Sequence, residues 1–295
     1  MTVATFASAF HHMDVLGNRF DLLVVDEVHH FGNGMSDESL ELCTAPARIG
    51  LTGTPPGSHH QRSRLEELIG PEVYRQTLSD LTGEFLAPLR IVTLALDLTP
   101  DERRAYADEV AVYQPVCRRF FRYTPRASWQ DFQRAAVRTD EGRRALAAWR
   151  RSRRLVAFTQ AKQRALAQLL HEHRESRLLV FTGDNDTAYS VARDHCVMPI
   201  TCDIGCQERT QALKQFRAGE LHVLVSAQVL NEGMDVPEAG VAVLVGGRLG
   251  AREYLQRIGR VLRPAPGKQA LVYELVARGT HEVHDAARKR RELVA

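Results

Sequence analysis

Phe20-Asp21-Leu22-Leu23-Val24-Val25-Asp26-Glu27-Val28-His29-His30 puts two adjacent carboxylates and two histidines at the end of an apolar run. Leu22 to Val25 are four consecutive apolar residues, too short for a helix and β-branched at their end, which predicts a buried strand of a parallel sheet. Ligands of such sheets sit beyond the carboxyl ends of the strands, where Asp26 and Glu27 emerge. Neighbouring side chains of an extended backbone point different ways, so one carboxylate can hold a metal while the other handles water. A solvated acidic loop is the alternative that these residues alone leave open.

Around this stretch lies a chain of 295 residues, 44% of them apolar, enough for one large or two medium domains with real cores. The formal charge of +3 is modest, so only its distribution can point to nucleic acid. No apolar run is long enough to span a bilayer and no basic-then-apolar segment opens the chain, which predicts a cytoplasmic protein without membrane contact. Five cysteines fit reduced thiols better than a disulfide framework.

Apolar strands alternate with helical or loop segments, and this predicts an α/β fold. Strands are expected at 2–10 (running into a helix), 22–25, 47–51, 89–96, 178–181, 222–226, 241–245 and 270–276. Helices are expected at 61–69, 155–173, 187–194, 208–218 and 251–262. Between the two α/β sets, Thr99-Pro100-Asp101-Glu102 carries the hydroxyl, proline and early acids of a helix start. From Arg103 to Arg154 there are 14 arginines against five acids, a surplus of nine positive charges, so the rest of the chain carries six negative ones. Aromatic residues interleave with them, as in Arg118-Arg119-Phe120-Phe121-Arg122-Tyr123. Such a segment can neutralise phosphates and stack on bases, or it can be a solvated helix whose aromatics form its core. Predicted domains are 1–97, an arginine-rich helical insert at 98–154, and 155–295.

Gln256, Arg260 and Arg263 fall at i, i+4 and i+7 on one face of a predicted helix, opposite Leu255, Ile258 and Leu262. Two charged forks on a rigid helix suit a polyphosphate; a surface arginine face is the bland reading. His195, Cys196, Cys202 and Cys206 lack the paired spacing of a zinc site, and the histidine pairs lack a two-ligand helix motif.

Taken together, these stretches resemble superfamily 2 DEAD/DEAH-box helicases, and within them the XPB-like DNA helicases and translocases. Asp26-Glu27-Val28-His29 is similar to motif II, Leu51-Thr52-Gly53-Thr54-Pro55 to motif III, and Leu179-Val180-Phe181-Thr182 to motif IV. Val225-Ser226-Ala227 through Asn231 to Pro237 resembles motif V, and Gln256 to Arg263 resembles motif VI. The resemblance implies two RecA-like parallel-sheet lobes with the helical insert between them, ATP and Mg²⁺ as cofactors, and duplex or junction DNA, in preference to RNA, as partner. It assigns Asp26 to Mg²⁺ and Glu27 to the attacking water, with Arg260 and Arg263 as arginine fingers beside Gln256. His29, Thr52 and Thr54 become coupling residues, while Gly233 and Asp235 border the nucleotide and the nucleic-acid strand. Arg118, Arg119, Arg122 and Thr182 become DNA contacts. It departs from the family in lacking a Gly-Lys-Ser/Thr phosphate loop, since Gly267-Lys268 is followed by Gln269. The expectation is an incomplete first lobe, truncated at its N-terminus. Either an ATP-dependent helicase of DNA repair type or a non-catalytic DNA-binding remnant results, the latter including a subunit of a split helicase whose partner chain supplies the missing segment.

Overall fold

In the computed structural model, which describes residues 1–34, 36–53, 55–56, 58–76, 88–227, 239–246 and 270–294, the chain divides into two units, Met1–Gln76 and Thr77–Ala295. The first unit runs α1 (Phe6–His11), α2 (Met13–Leu16), β1 (Leu22–Val25), a 3-10 turn at Val28–His30, α3 (Glu38–Glu41), β2 (Ala47–Gly50) and α4 (His59–Leu68). The residues ahead of α1 form no strand; Thr5 instead caps the helix, its hydroxyl accepting the Ser8 amide. β1 and β2 pair in parallel, from Leu22 opposite Ala47 to Val25 opposite Gly50. One face packs Val25 and the half-buried Leu23 with Val28, Phe31, Leu40, Leu65, Leu68 and Ile69. On the opposite face Leu22, Val24, Ile49 and Leu51 are each about half exposed. Arg48 ties β2 to its surroundings by donating to the carbonyls of Ala45, Leu40, Leu68 and Cys43.

The second unit contains β3 (Leu89–Leu96), α5 (Pro100–Tyr123), α6 (Trp129–Ala136), α7 (Asp140–Ala157), α8 (Gln160–Glu172), β4 (Leu178–Phe181), α9 (Asn185–His195), β5 (Met198–Ile200), α10 (Cys206–Ala218), β6 (Val223–Ser226), β7 (Val241–Leu244), β8 (Ala270–Ala277) and α11 (His281–Val294). Among the described residues, six strands pair in parallel in the order β3-β8-β7-β4-β6-β5. Both faces are covered, as an all-parallel sheet demands. Leu179 and Phe181 enter one core with Ile200, Phe216 and Leu224, while Leu178 and Val180 enter the other with Leu166, Val191 and Val243.

The α/β class and parallel pairing agree with the sequence, but the division does not follow 97 and 154. β3 was expected with the first lobe. It pairs along its whole length with β8, from Leu89 opposite Ala270 to Leu96 opposite Ala277. An apolar run announces a strand without naming its sheet; the partner, more than 170 residues away, decides that. The arginine-rich segment is also part of the second unit. Thr99 and Glu102 close a capping box at the start of α5, and Glu102 also accepts the Gln160 amide at 2.9 Å. Tyr106 meets His281, and Arg153 reaches Asp285 at 3.5 Å. The single helix expected at 155–173 breaks at Phe158, because Thr159 takes an extended conformation and caps α8.

Lys162, fully buried in α8, ion-pairs with Glu282 at 2.7 Å, and Glu282 also accepts the Ala277 amide at the end of β8. Burial pushes the Lys162 ammonium's pKa below the ordinary lysine value, against the opposing pull of Glu282. No helix among the described residues is long and apolar enough to cross a membrane.

Candidate functional site

Beyond the carboxyl end of β1 the backbone does not stay extended. Glu27 adopts the left-handed conformation, φ 51 and ψ 44, at a cost of roughly 1–2 kcal/mol for a residue with a side chain. Asp26 and Glu27 therefore lie in a turn and not, as expected, at alternating positions of an extended strand. Asp26 Oδ1 accepts the Glu27 amide at 2.9 Å, which supports that turn. The next three residues wind into the 3-10 turn that buries Val28 and His29.

The left-handed step brings Glu27 Oε2 within 3.2 Å of His29 Nδ1, and the same nitrogen lies 2.7 Å from Thr52 Oγ1. A proton on Nδ1 can be shared between the Glu27 and Thr52 oxygens. Thr52 reaches this point because the pairing of the strands continues past β2. The Leu51 amide donates to Val25 O, and the Val28 amide donates to Leu51 O, both at 2.9 Å. Gly50 permits the approach, since a Cβ there would lie 3.1 Å from Val28 and 3.2 Å from Ile69. Asp26, Glu27, His29 and Thr52 thus form one group within the first unit. Exposed Asp26 offers hard oxygen donors, which suit Mg²⁺ held through water.

Two further residues hold this group, and neither stood out in the sequence. Gln61 of α4 donates its side-chain amide to the carbonyls of His29 and Phe31, at 2.8 and 2.7 Å. Buried Asp37 accepts the Gly32 amide at 2.7 Å and the Gly34 amide at 3.2 Å, and Arg64 ion-pairs with it. An acid closing a Gly-rich loop is a weak signal for such a clamp; nothing in the spacing marks Gln61.

In the second unit Arg118, Arg119 and Arg122 are exposed on α5. Arg119 ion-pairs with Glu141, and Asp131, Asp140 and Glu109 take Arg134, Arg143 and Arg151. Among the described residues Arg118, Arg122, Arg126 and Arg138 form no ion pair. The interleaved aromatics are largely core and not open stacking faces, for Phe120, Phe121, Trp129, Phe132 and Trp149 pack against one another. Thr182, expected as a DNA contact, is fully buried at the end of β4, where its hydroxyl donates to Asp184 O at 3.0 Å. Thr54, Gly233, Asp235, Gln256, Arg260 and Arg263 lie outside the described residues.

Residues 1–57 match the family described as type III restriction enzyme, res subunit, and residues 161–265 match the helicase conserved C-terminal domain. The chain is 33% identical over 293 residues to a DNA 3'-5' translocase XPB2 of Sulfurisphaera tokodaii, with 99% of this chain aligned to 66% of that protein. It is 26% identical over 288 residues to a DNA 3'-5' helicase XPB of Mycobacterium tuberculosis, covering 96% of this chain and 45% of that protein. The chain therefore spans less than two thirds of the length of these curated relatives. Among solved structures it is similar in fold to the Pyrococcus furiosus Hef helicase domain, with TM-score 0.59, 17% identity, and coverage of 98% of this chain and 78% of that one. It is also similar to S. cerevisiae Dbp5 bound to RNA and ADP BeF3, with TM-score 0.60, 14% identity, and coverage of 99% and 62%.

Proposed function

Because the chain belongs to the XPB-like branch of the superfamily 2 helicases, we propose that it hydrolyses ATP to move on or open DNA. The observation that carries this reading is the hydrogen-bonded group of Glu27, His29 and Thr52 beside Asp26. Glu27, held by His29, orients the attacking water and accepts its proton. Asp26 holds Mg²⁺ through water, and that ion, when bound with ATP, offsets the charge on the phosphates. Thr52 and His29 couple the water-handling carboxylate to β2, so a change at the nucleotide is felt across the strand pair; Thr54 is proposed to share this role. Arg260 and Arg263, with Gln256, Gly233 and Asp235, are proposed to complete the nucleotide site. Arg118, Arg119 and Arg122 are proposed to grip the phosphates of duplex or junction DNA. The relatives named as DNA 3'-5' translocase and DNA 3'-5' helicase support DNA as the polymer.

These 295 residues hold no Gly-Lys-Ser/Thr loop, so hydrolysis requires a phosphate cradle from another segment, of the same polypeptide or of a partner. A second reading is that the chain binds DNA without hydrolysing ATP by itself and works as a subunit of a split helicase. The half-exposed apolar face of Leu22, Val24, Ile49 and Leu51 favours it, because a segment that covers this face would restore two-sided burial.

DNA-stimulated ATP turnover measured with the segment that carries the phosphate cradle present, for the parent and for Glu27→Gln, separates the two. Turnover that falls by about 10²–10⁴-fold in Glu27→Gln, at unchanged DNA affinity, supports the first. Salt-dependent DNA binding without turnover in either protein supports the second, and absence of DNA binding removes both.

A further inference from the structure

Among the described aromatic side chains of the arginine-rich helices, Tyr123 is the exposed one. Where five rings pack with centroids 4.8 to 6.5 Å apart, Tyr123, at the last position of α5, is 74% exposed. The backbone around it is pinned. The Thr124 amide and hydroxyl both donate to Phe120 O, at 3.0 and 2.7 Å, and the Ala127 amide donates to Thr124 O at 3.0 Å. Phe120 and Phe121, just before, are anchored in the aromatic cluster. The phenol ring is thus carried by a fixed scaffold and not by a floppy tip.

Its surroundings are cationic. The Arg122 guanidinium lies 5.4 Å from the centre of the Tyr123 ring, Arg118 precedes Arg122 by one turn, and Arg126 follows in the turn that ends the helix. These three arginines have no carboxylate partner among the described residues, whereas the nearby Glu141 and Asp131 are taken by Arg119 and Arg134. An exposed flat ring with one guanidinium over it and further arginines before and after it in the chain matches a strand of nucleic acid, which alternates flat bases with phosphates. Bases inside a continuous duplex already stack on both faces, so only an unpaired or terminal base has a face to offer.

We propose that Tyr123 stacks on an unpaired nucleobase where single and double strands meet, with Arg118, Arg122 and Arg126 on the flanking phosphates. This rests on the reading that the arginine-rich helices engage DNA, and makes the fork, not the continuous duplex, the favoured substrate.

The test is fluorescence anisotropy of the full chain with labelled forked, blunt-duplex and single-stranded DNA across a salt series. Tyr123→Ala is expected to weaken fork binding about tenfold, to change blunt-duplex binding less than twofold, and to leave the salt slope unaltered. Tyr123→Trp is expected to retain the preference for the fork. The double variant Arg118→Ala/Arg122→Ala is expected to weaken binding to all three DNAs and to flatten the salt slope by about 2. Equal fork affinity for Tyr123→Ala and the parent, with the arginine variant impaired, overturns the stacking proposal alone. An arginine variant with unaltered affinity and slope overturns the DNA reading of these helices, and the stacking proposal with it.

Discussion

Leu22-Leu23-Val24-Val25 and Leu178-Leu179-Val180-Phe181 are nearly the same strand in sequence and very different strands in the molecule. Every residue of β4 is buried, with the side chains of one parity in one core and those of the other parity in a second. In β1 only Val25 is buried, and Leu22 and Val24 stand about half exposed on a face that β2 extends with Ile49. An apolar run records a demand for two-sided burial, and the fold answers that demand in one unit and half-answers it in the other. The polar site sits on the half-answered strand, so its order depends on local clamps, Gln61 and Asp37, more than on a deep core.

The contrast can be broken by measurement. The largest effect is expected for Phe181→Ala, which should lower the unfolding free energy of the second unit by about 3–5 kcal/mol through loss of burial and cavity formation. Both tryptophans, Trp129 and Trp149, lie in that unit, so tryptophan-monitored urea unfolding reads it directly. A loss below about 1 kcal/mol would mean that β4 is no better packed than β1.

Acid should weaken the second unit through His281. Burial, with help from the Arg153 charge, lowers its pKa from 6.5 to about 4, so the unfolded chain takes up a proton that the folded one resists. The stability is in full above pH 6.5 and is lost as pH falls from there to about 4, by about 3 kcal/mol at most. His281→Gln should flatten that part of the pH profile; an unchanged profile would detach α11 from the stability of the unit.

A smaller loss, about 1 kcal/mol in the same assay, is expected for Thr99→Ala, which opens the capping box that joins the sheet to α5. The smallest is expected for Val24→Thr, within about 0.5 kcal/mol, because its side chain is already half in water. Amide hydrogen exchange checks it, since β1 lies in the unit without tryptophan. A large rise in exchange across β1 and β2 would show that the exposed face is stabilising and not open.

Much of this was legible in the chain itself. Seven strands, Leu22–Val25, Ala47–Gly50, Leu89–Leu96, Leu178–Phe181, Val223–Ser226, Val241–Leu244 and Ala270–Ala277, agree to within a residue at each end with their apolar runs, and Thr99-Pro100-Asp101-Glu102 marked a helix start because capping is a local interaction. Motif spacing brought Asp26, Glu27, His29 and Thr52 into one hypothesis, and His29 does meet Thr52. Other features escaped for physical reasons. The three-residue strand β5 is too short to show a period, and the left-handed Glu27 carries none of the glycine that usually marks such a turn. The burial of Thr182 depends on strands on both sides of β4.

By itself the sequence determined where apolar and polar groups alternate, where helices start, which family motifs the chain carries, and that its positive charge concentrates in one segment. All are properties of residues within a few positions of one another, or of charge added along the chain. Only the tertiary structure decided that β3 belongs to the second sheet, that the arginine-rich helices pack with that sheet and keep five aromatic rings for their own core, and that Tyr123 stands exposed. Those outcomes depend on which distant residues meet, and pairing across more than a hundred residues is selected by packing, which no local pattern encodes.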